Sequence, residues 1–150
     1  MTGKYERELL GALEATGWAG MRAPASGGAT DRDLPDLLVG QDAGIDIDRR
    51  RASKALAIEL KTTSSTTAYL DDAEITALER FAHDFGARPL LAVKFKRAGG
   101  TRSGYWLVPT TATRRTDSGR HGLPVSDIEE RAVKVVYPAT DAKDAEVREP

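Results

Sequence analysis

The sequence contains no cysteine. That absence removes zinc–cysteine sites, thiol nucleophiles and disulfide frameworks, and it fits a reducing cytoplasm. No apolar run approaches the roughly 20 residues that cross a bilayer, and the N-terminal MTGKYERELL has no signal-peptide core. A soluble cytoplasmic protein with no membrane association is expected. Histidine is scarce; His83 and His121 lack the spacing of a metal-binding pair and are expected as surface residues. Net charge is nearly absent too, formally −1 from 22 bases and 23 acids, which argues against a generic nucleic-acid binder. After Pro138 the acids Asp141, Asp144, Glu146 and Glu149 outnumber the bases Lys143 and Arg148, so the body is near neutral and any basic surface must be a local patch.

What is present is a length, 150 residues, that can bury one real core without a staple. Residues Lys4 to Thr16 have the stripe of an amphipathic helix through Leu9, Leu10 and Leu13, with Gly17 as its stop. Trp18 to Ala23 reads as extended, and APASGGATDRDLP as a loop. Strands are expected at Asp36–Val39 and Ala55–Lys61, then a helix in LDDAEITALERFAHDFG, with Asp71 and Glu74 at capping-box spacing and Gly86 at its end. PLLAVKF, GYWLVP and AVKVVYP supply three further strands. This order describes an α/β domain with helices on a central mixed sheet over residues 1–137, followed by a mobile acidic tail at 138–150.

The unusual feature is charge inside apolar strands. Asp36 follows Pro35 at the head of one strand, and Glu59 and Lys61 stand two apart in the next, on one face, while Ile58 and Leu60 take the other. If the strands are neighbours, Asp36 and Glu59 converge. Two carboxylates at one point suit a hard divalent cation such as Mg²⁺, which keeps several waters and takes phosphate oxygens. Lys61 beside it can orient an attacking water and stabilise charge on phosphate. Glu6, on or beside the apolar face of the first helix, can add a third carboxylate directly or through water. A plainer reading also stands: Asp36 as a turn residue, and Glu59 and Lys61 as an exposed same-face ion pair.

Pro35-Asp36 followed by Glu59-Leu60-Lys61 resembles the PD-(D/E)xK nuclease signature. In addition YERELL, MRAPASGG, PDLLV, AIELKTT, AYL and ERFAHDFGARPLLAVKF occur in the order found in archaeal Holliday junction resolvases of the Hjc type, over about the first two thirds of the chain. The resemblance implies a restriction-endonuclease-like fold and a homodimer. It also implies Mg²⁺-dependent (or Mn²⁺-dependent) cutting of four-way junction DNA in recombination and repair, near the nucleoid, beside replication or repair proteins it does not name. By position it makes Glu6, Asp36 and Glu59 the metal-binding acids and Lys61 the catalytic lysine. Arg7 matches the family's helix arginine, Arg22 and Ser26 the segment near the scissile phosphate, Tyr69 an aromatic beside the site, and Phe81 with Phe85 the dimer face. Arg49, Arg50 and Arg51, between the two charged strands, read as a solvated loop or, in slight preference, as phosphate contacts, and Arg114, Arg115 and Arg120 as a solvated or DNA-contacting mobile segment. Two other readings are carried: a related nuclease acting on flaps or other branched or duplex DNA, and a non-catalytic dimer that binds DNA structures.

Overall fold

The computed structural model describes residues 3–24, 34–45, 51–97 and 104–150, with backbone only at 43–45 and 51–53. Helix α1 (Lys4–Ala15) buries Leu9, Ala12 and Leu13, and its chain reverses at Gly17 into β1 (Ala19–Arg22). β1 runs antiparallel to β2 (Leu37–Ile45), and β2 antiparallel to β3 (Arg51–Thr63). After a short strand, β4 (Thr67–Leu70), helix α2 (Asp72–Phe85) carries the chain back so that β5 (Arg88–Phe95) lies parallel to β3. A parallel neighbour needs such a crossover, and Gly86 ends the helix at φ 88°, a left-handed turn that suits glycine.

The meander then continues through β6 (Tyr105–Pro109). β7 (Arg114–Arg115) and β8 (His121–Pro124) pair with each other and with β4 as a second, three-stranded sheet. The one-turn helix α3 (Ile128–Arg131) leads to β9 (Lys134–Tyr137) and β10 (Glu146–Arg148), completing a seven-stranded main sheet in the order β1-β2-β3-β5-β6-β9-β10. The expected mixed sheet flanked by helices is present. The segment 138–150, expected as a tail outside the domain, instead supplies the edge strand β10, with Val147 opposite Val136 and Glu149 paired to Lys134 at 3.2 Å. Its acids hid this role, because a strand of three residues leaves too little alternation to recognise. No helix among the described residues is long and apolar enough to cross a membrane.

Strand alternation splits the core in two. One face of the sheet presents Leu37, Val39, Ile58, Leu90 and Ala92 to α1; the other presents Ala57, Leu91 and Val93 to α2 and the small sheet. The Arg114–Arg120 segment, expected as mobile or solvated, is a paired element clamped to its surroundings. Arg115 and Arg120 reach Asp72 and Asp71 at the start of α2, both at 3.7 Å, and Arg114 reaches Asp127 at 3.3 Å. His121, expected as a surface residue, is mostly covered: Nε2 lies 2.9 Å from Asp72 and Nδ1 2.9 Å from the Thr113 hydroxyl.

On the α1 side, the Tyr105 hydroxyl donates to Glu8 Oε1 at 2.5 Å, joining β6 to the helix. Lys94 Nζ stands 3.8 Å from the same carboxylate oxygen and 4.6 Å from the centre of the Tyr105 ring. Burial first, then the Glu8 carboxylate, pushes the phenol pKa far up, so the hydroxyl stays protonated. Tyr105→Phe removes the donor from a partly buried carboxylate and is expected to cost about 1–2 kcal/mol. Urea unfolding measures this; an unchanged midpoint would mean that solvent replaces the contact.

Candidate active site

The acids meet because of register. Leu37 lies opposite Ile58 and Leu38 opposite Ala57; one further step along the same antiparallel pairing sets Asp36 across from Glu59. Asp36 is held from both sides. Its backbone carbonyl accepts from the Ala23 N–H at 3.0 Å, and its Oδ2 accepts from the Leu60 N–H at 2.8 Å. Pro35 before it is buried. Glu59 occupies an inner strand, with Leu91 of β5 beside it on the far side.

Burial, followed by the charge and hydrogen bond of Asp36 and then the charges of Glu74 and Glu6, raises the Glu59 pKa from 4.5 to about 9. Near neutral pH Glu59 therefore keeps a proton that a cation can displace. Lys61 projects from the same face two residues on, and among the described residues it has no acidic partner. The donor set of hard oxygens with one labile proton suits a divalent cation, with Asp36 and Glu59 as the residues that would hold it.

Glu6 stands further off. Among the described residues no three acid or histidine side chains are close enough to enclose an ion. Glu6 acts on Glu59 through its charge, and its Oε2 lies 3.9 Å from Arg22 Nη2. Arg22 follows from β1, opposite Leu37, and its Nε is buried without a hydrogen-bond partner, so the guanidinium retains a donor. The Arg22 end rests against Gly3, whose φ of +87° favours glycine.

Glu74 is the residue sequence reasoning missed. Its spacing from Asp71 predicts a capping box, yet Asp71 makes no side-chain cap hydrogen bond, and the Glu74 charge instead acts on Glu59. Both acids line a cleft of about 280 Å³ floored by Pro35, Ala77 and Leu78. The signal was its place four residues before buried Leu78, at the edge of the face that α2 turns to the sheet.

The other expected site residues fall apart from these. Arg7 is exposed one position beyond Glu6. Tyr69 is exposed on β4 with the Arg120 guanidinium 4.7 Å from its ring centre. Phe81 packs at the margin of the core and stacks on Phe85, centroids 5.6 Å apart, and Phe85 is more than half exposed. Ser26, Arg49 and Arg50 lie outside the described residues, and Arg51 is described by backbone alone.

The raised Glu59 pKa fixes a sign. Between about pH 4.5 and 9 the folded protein keeps a proton that the unfolded chain has lost, so stability falls as pH rises through that window. Metal-free protein is expected to melt several degrees lower at pH 8.5 than at pH 5.5 through this group. Glu59→Gln keeps a hydrogen-bond donor to Asp36 without a titrating charge, and it should flatten the profile and raise Tm at pH 8.5. Differential scanning calorimetry across pH checks both; an equally steep profile in the variant would assign the dependence elsewhere.

Comparison with known proteins bears on the same arrangement. A family model described as archaeal Holliday junction resolvase (Hjc) matches residues 2–123. The crossover junction endodeoxyribonuclease Hjc of Methanocaldococcus jannaschii is 35% identical over 91 residues, covering 61% of this chain and 56% of that protein. The Archaeoglobus fulgidus protein of the same name is 32% identical over 94 residues, covering 63% and 61%. The chain thus matches about three fifths of the length of these curated relatives. The solved structure of Archaeoglobus fulgidus Hjc, described as a Holliday junction resolvase from an archaeal hyperthermophile, superposes with a TM-score of 0.69 at 26% identity, over 86% of this chain and 93% of that one. The restriction-endonuclease-like sheet and the family match together place this chain in the archaeal Holliday junction resolvase (Hjc) family.

Proposed function

We propose that the chain is a metal-dependent endodeoxyribonuclease that resolves four-way DNA junctions by paired nicks. The observation that carries this reading is the juxtaposition of Asp36 and Glu59 across adjacent strands, with Lys61 on the same face. Mg²⁺, or Mn²⁺ in its place, would be held by Asp36 and Glu59, with Glu6 joining through water. A divalent cation bound there polarises a phosphate and makes a bound water more acidic.

The chain's own residues do the rest. Asp36, fixed by the Leu60 N–H, sets the direction of its carboxylate before any ligand arrives. Glu59 would give up its proton to hold the cation. Lys61 orients the attacking water and stabilises charge building on the phosphate. Arg22, whose guanidinium end is partly exposed, receives a phosphate oxygen, aided by Arg7, Ser26 and the Arg49–Arg51 run. Water oxygen bonds to phosphorus in line with the departing sugar oxygen, the phosphorus–O3′ bond breaks, and the products carry 5′-phosphate and 3′-hydroxyl ends. The Phe81–Phe85 stack, partly exposed, supports a two-fold dimer face, and a symmetric dimer fits the two-fold symmetry of a four-way junction.

Asp36→Asn and Glu59→Gln should each abolish cleavage while leaving junction binding within about twofold, because the acids hold metal and do not attract phosphate. The check is a gel assay on a labelled immobile junction, a flap and the component duplex, with Mg²⁺ or EDTA. Paired metal-dependent nicks on the junction alone support resolution. Cutting of flap or duplex would keep the nuclease and withdraw the junction, and binding without cutting would leave a structural binder.

Arg22→Ala should weaken junction binding and lower the salt slope by about one counterion. Binding isotherms over a range of NaCl concentrations read this directly; an unchanged slope would remove Arg22 from the DNA surface.

A further inference from the structure

The two faces of the main sheet are unequally covered. Seven strands at ~4.8 Å spacing make a surface roughly 30 Å wide, and a helix is only about 10 Å across. On the face opposite Glu59 and Lys61, α1 is the one long helix among the described residues, and it leaves a gap. The gap is a groove of about 400 Å³ whose walls include Trp18, Leu56, Leu90, Leu107, Val133 and Val147. Leu90 and Leu107 at its floor are almost wholly buried, while Trp18, Leu56, Val133 and Val147 are partly exposed.

Its remaining charged walls are all cationic: Lys54, Arg88 and Lys134, with no acid among the lining residues. Lys134 is engaged by the exposed Glu149. Lys54 and Arg88 are exposed and, among the described residues, have no acidic partner. An apolar slot with two unneutralised cations complements a ligand with the opposite pattern. The groove also reaches Val147 on β10, the outermost strand of the sheet, where backbone groups on the free side can bond an extended chain.

We propose that this groove docks an extended peptide segment of a partner protein, in which a bulky apolar side chain enters the slot and flanking Asp or Glu side chains meet Lys54 and Arg88. DNA is the poorer fit, because its phosphates would meet Lys54 and Arg88 but leave the apolar floor of Leu90 and Leu107 without a partner. The placement on the α1 face, away from Asp36 and Glu59, leaves the acid site free while a partner is bound. The docking site therefore stands independently of the proposed cleavage chemistry.

Trp18 supplies the readout, since Trp106, the second tryptophan of the chain, is buried elsewhere in the core. The probe is a synthetic six-residue peptide with leucine and phenylalanine at its centre and two aspartates on either side. It is titrated into the full-length protein while tryptophan emission is followed. Saturable binding is expected. The exposed double variant Lys54→Glu/Arg88→Glu should weaken it about tenfold, with junction cleavage and the molar mass in solution unchanged. Absence of a saturable change would overturn the proposal, as would equal binding of a peptide with serines in place of the central apolar pair. Displacement of the peptide by junction DNA would give the cations to nucleic acid. A change of molar mass in the double variant would give the groove to a second copy of the chain.

Discussion

The register between β2 and β3 is the constraint on which the site depends. Side chains alternate along each strand, so the pairing that puts Leu37 opposite Ile58 under α1 also brings Asp36 and Glu59 together on the α2 face. A slip of one residue would exchange the faces, taking Ile58 out of one core and the carboxylates out of reach of each other. Burial of Leu37, Val39, Ile58 and Ala57 thus enforces the position of the acids. The Leu60 N–H fixes the Asp36 carboxylate by the same backbone that fixes the core.

That arrangement is held against its own electrostatics. Two carboxyl groups with little solvent and two more acids nearby, Glu74 and Glu6, disfavour charge on Glu59. A protein optimised for stability alone would not gather them; under the proposed cleavage chemistry the gathering serves cation binding, because ionisation is deferred until the cation arrives. The opposing stabilisation comes from the two apolar layers on either side of β3 and β5 and from ties such as Tyr105 to Glu8. The two faces also differ in character. One face carries acids under α2, and the other leaves an apolar groove with cations beyond α1.

Much of this was legible in the sequence because it is local or periodic. The stripe of Leu9 and Leu13, the alternation around Ile58 and the terminating Gly86 each carry a pattern that one element suffices to explain. Asp36 and Glu59 could be paired because charge in an apolar strand demands a reason. Glu74 was not legible as a neighbour of Glu59, since capping chemistry explains an acid in a first turn equally well. Nor was the small sheet: β7 has two residues, and its arginines and His121 are held by Asp71, Asp72 and Asp127, contacts fixed only by tertiary packing. β10 is similarly short and acidic, and its pairing with β9 depends on the whole chain returning to the sheet edge.

The central claim is that Glu59, buried beside Asp36, keeps a proton which a divalent cation replaces. It is tested most directly by isothermal titration calorimetry of Mn²⁺ into the protein at pH 7, in two buffers of different ionisation enthalpy, so that the difference in heat counts protons released. The account predicts release of about one proton per ion by the wild-type chain and none by Glu59→Gln. Binding of equal strength with no proton released, or the same release from Glu59→Gln, would contradict it.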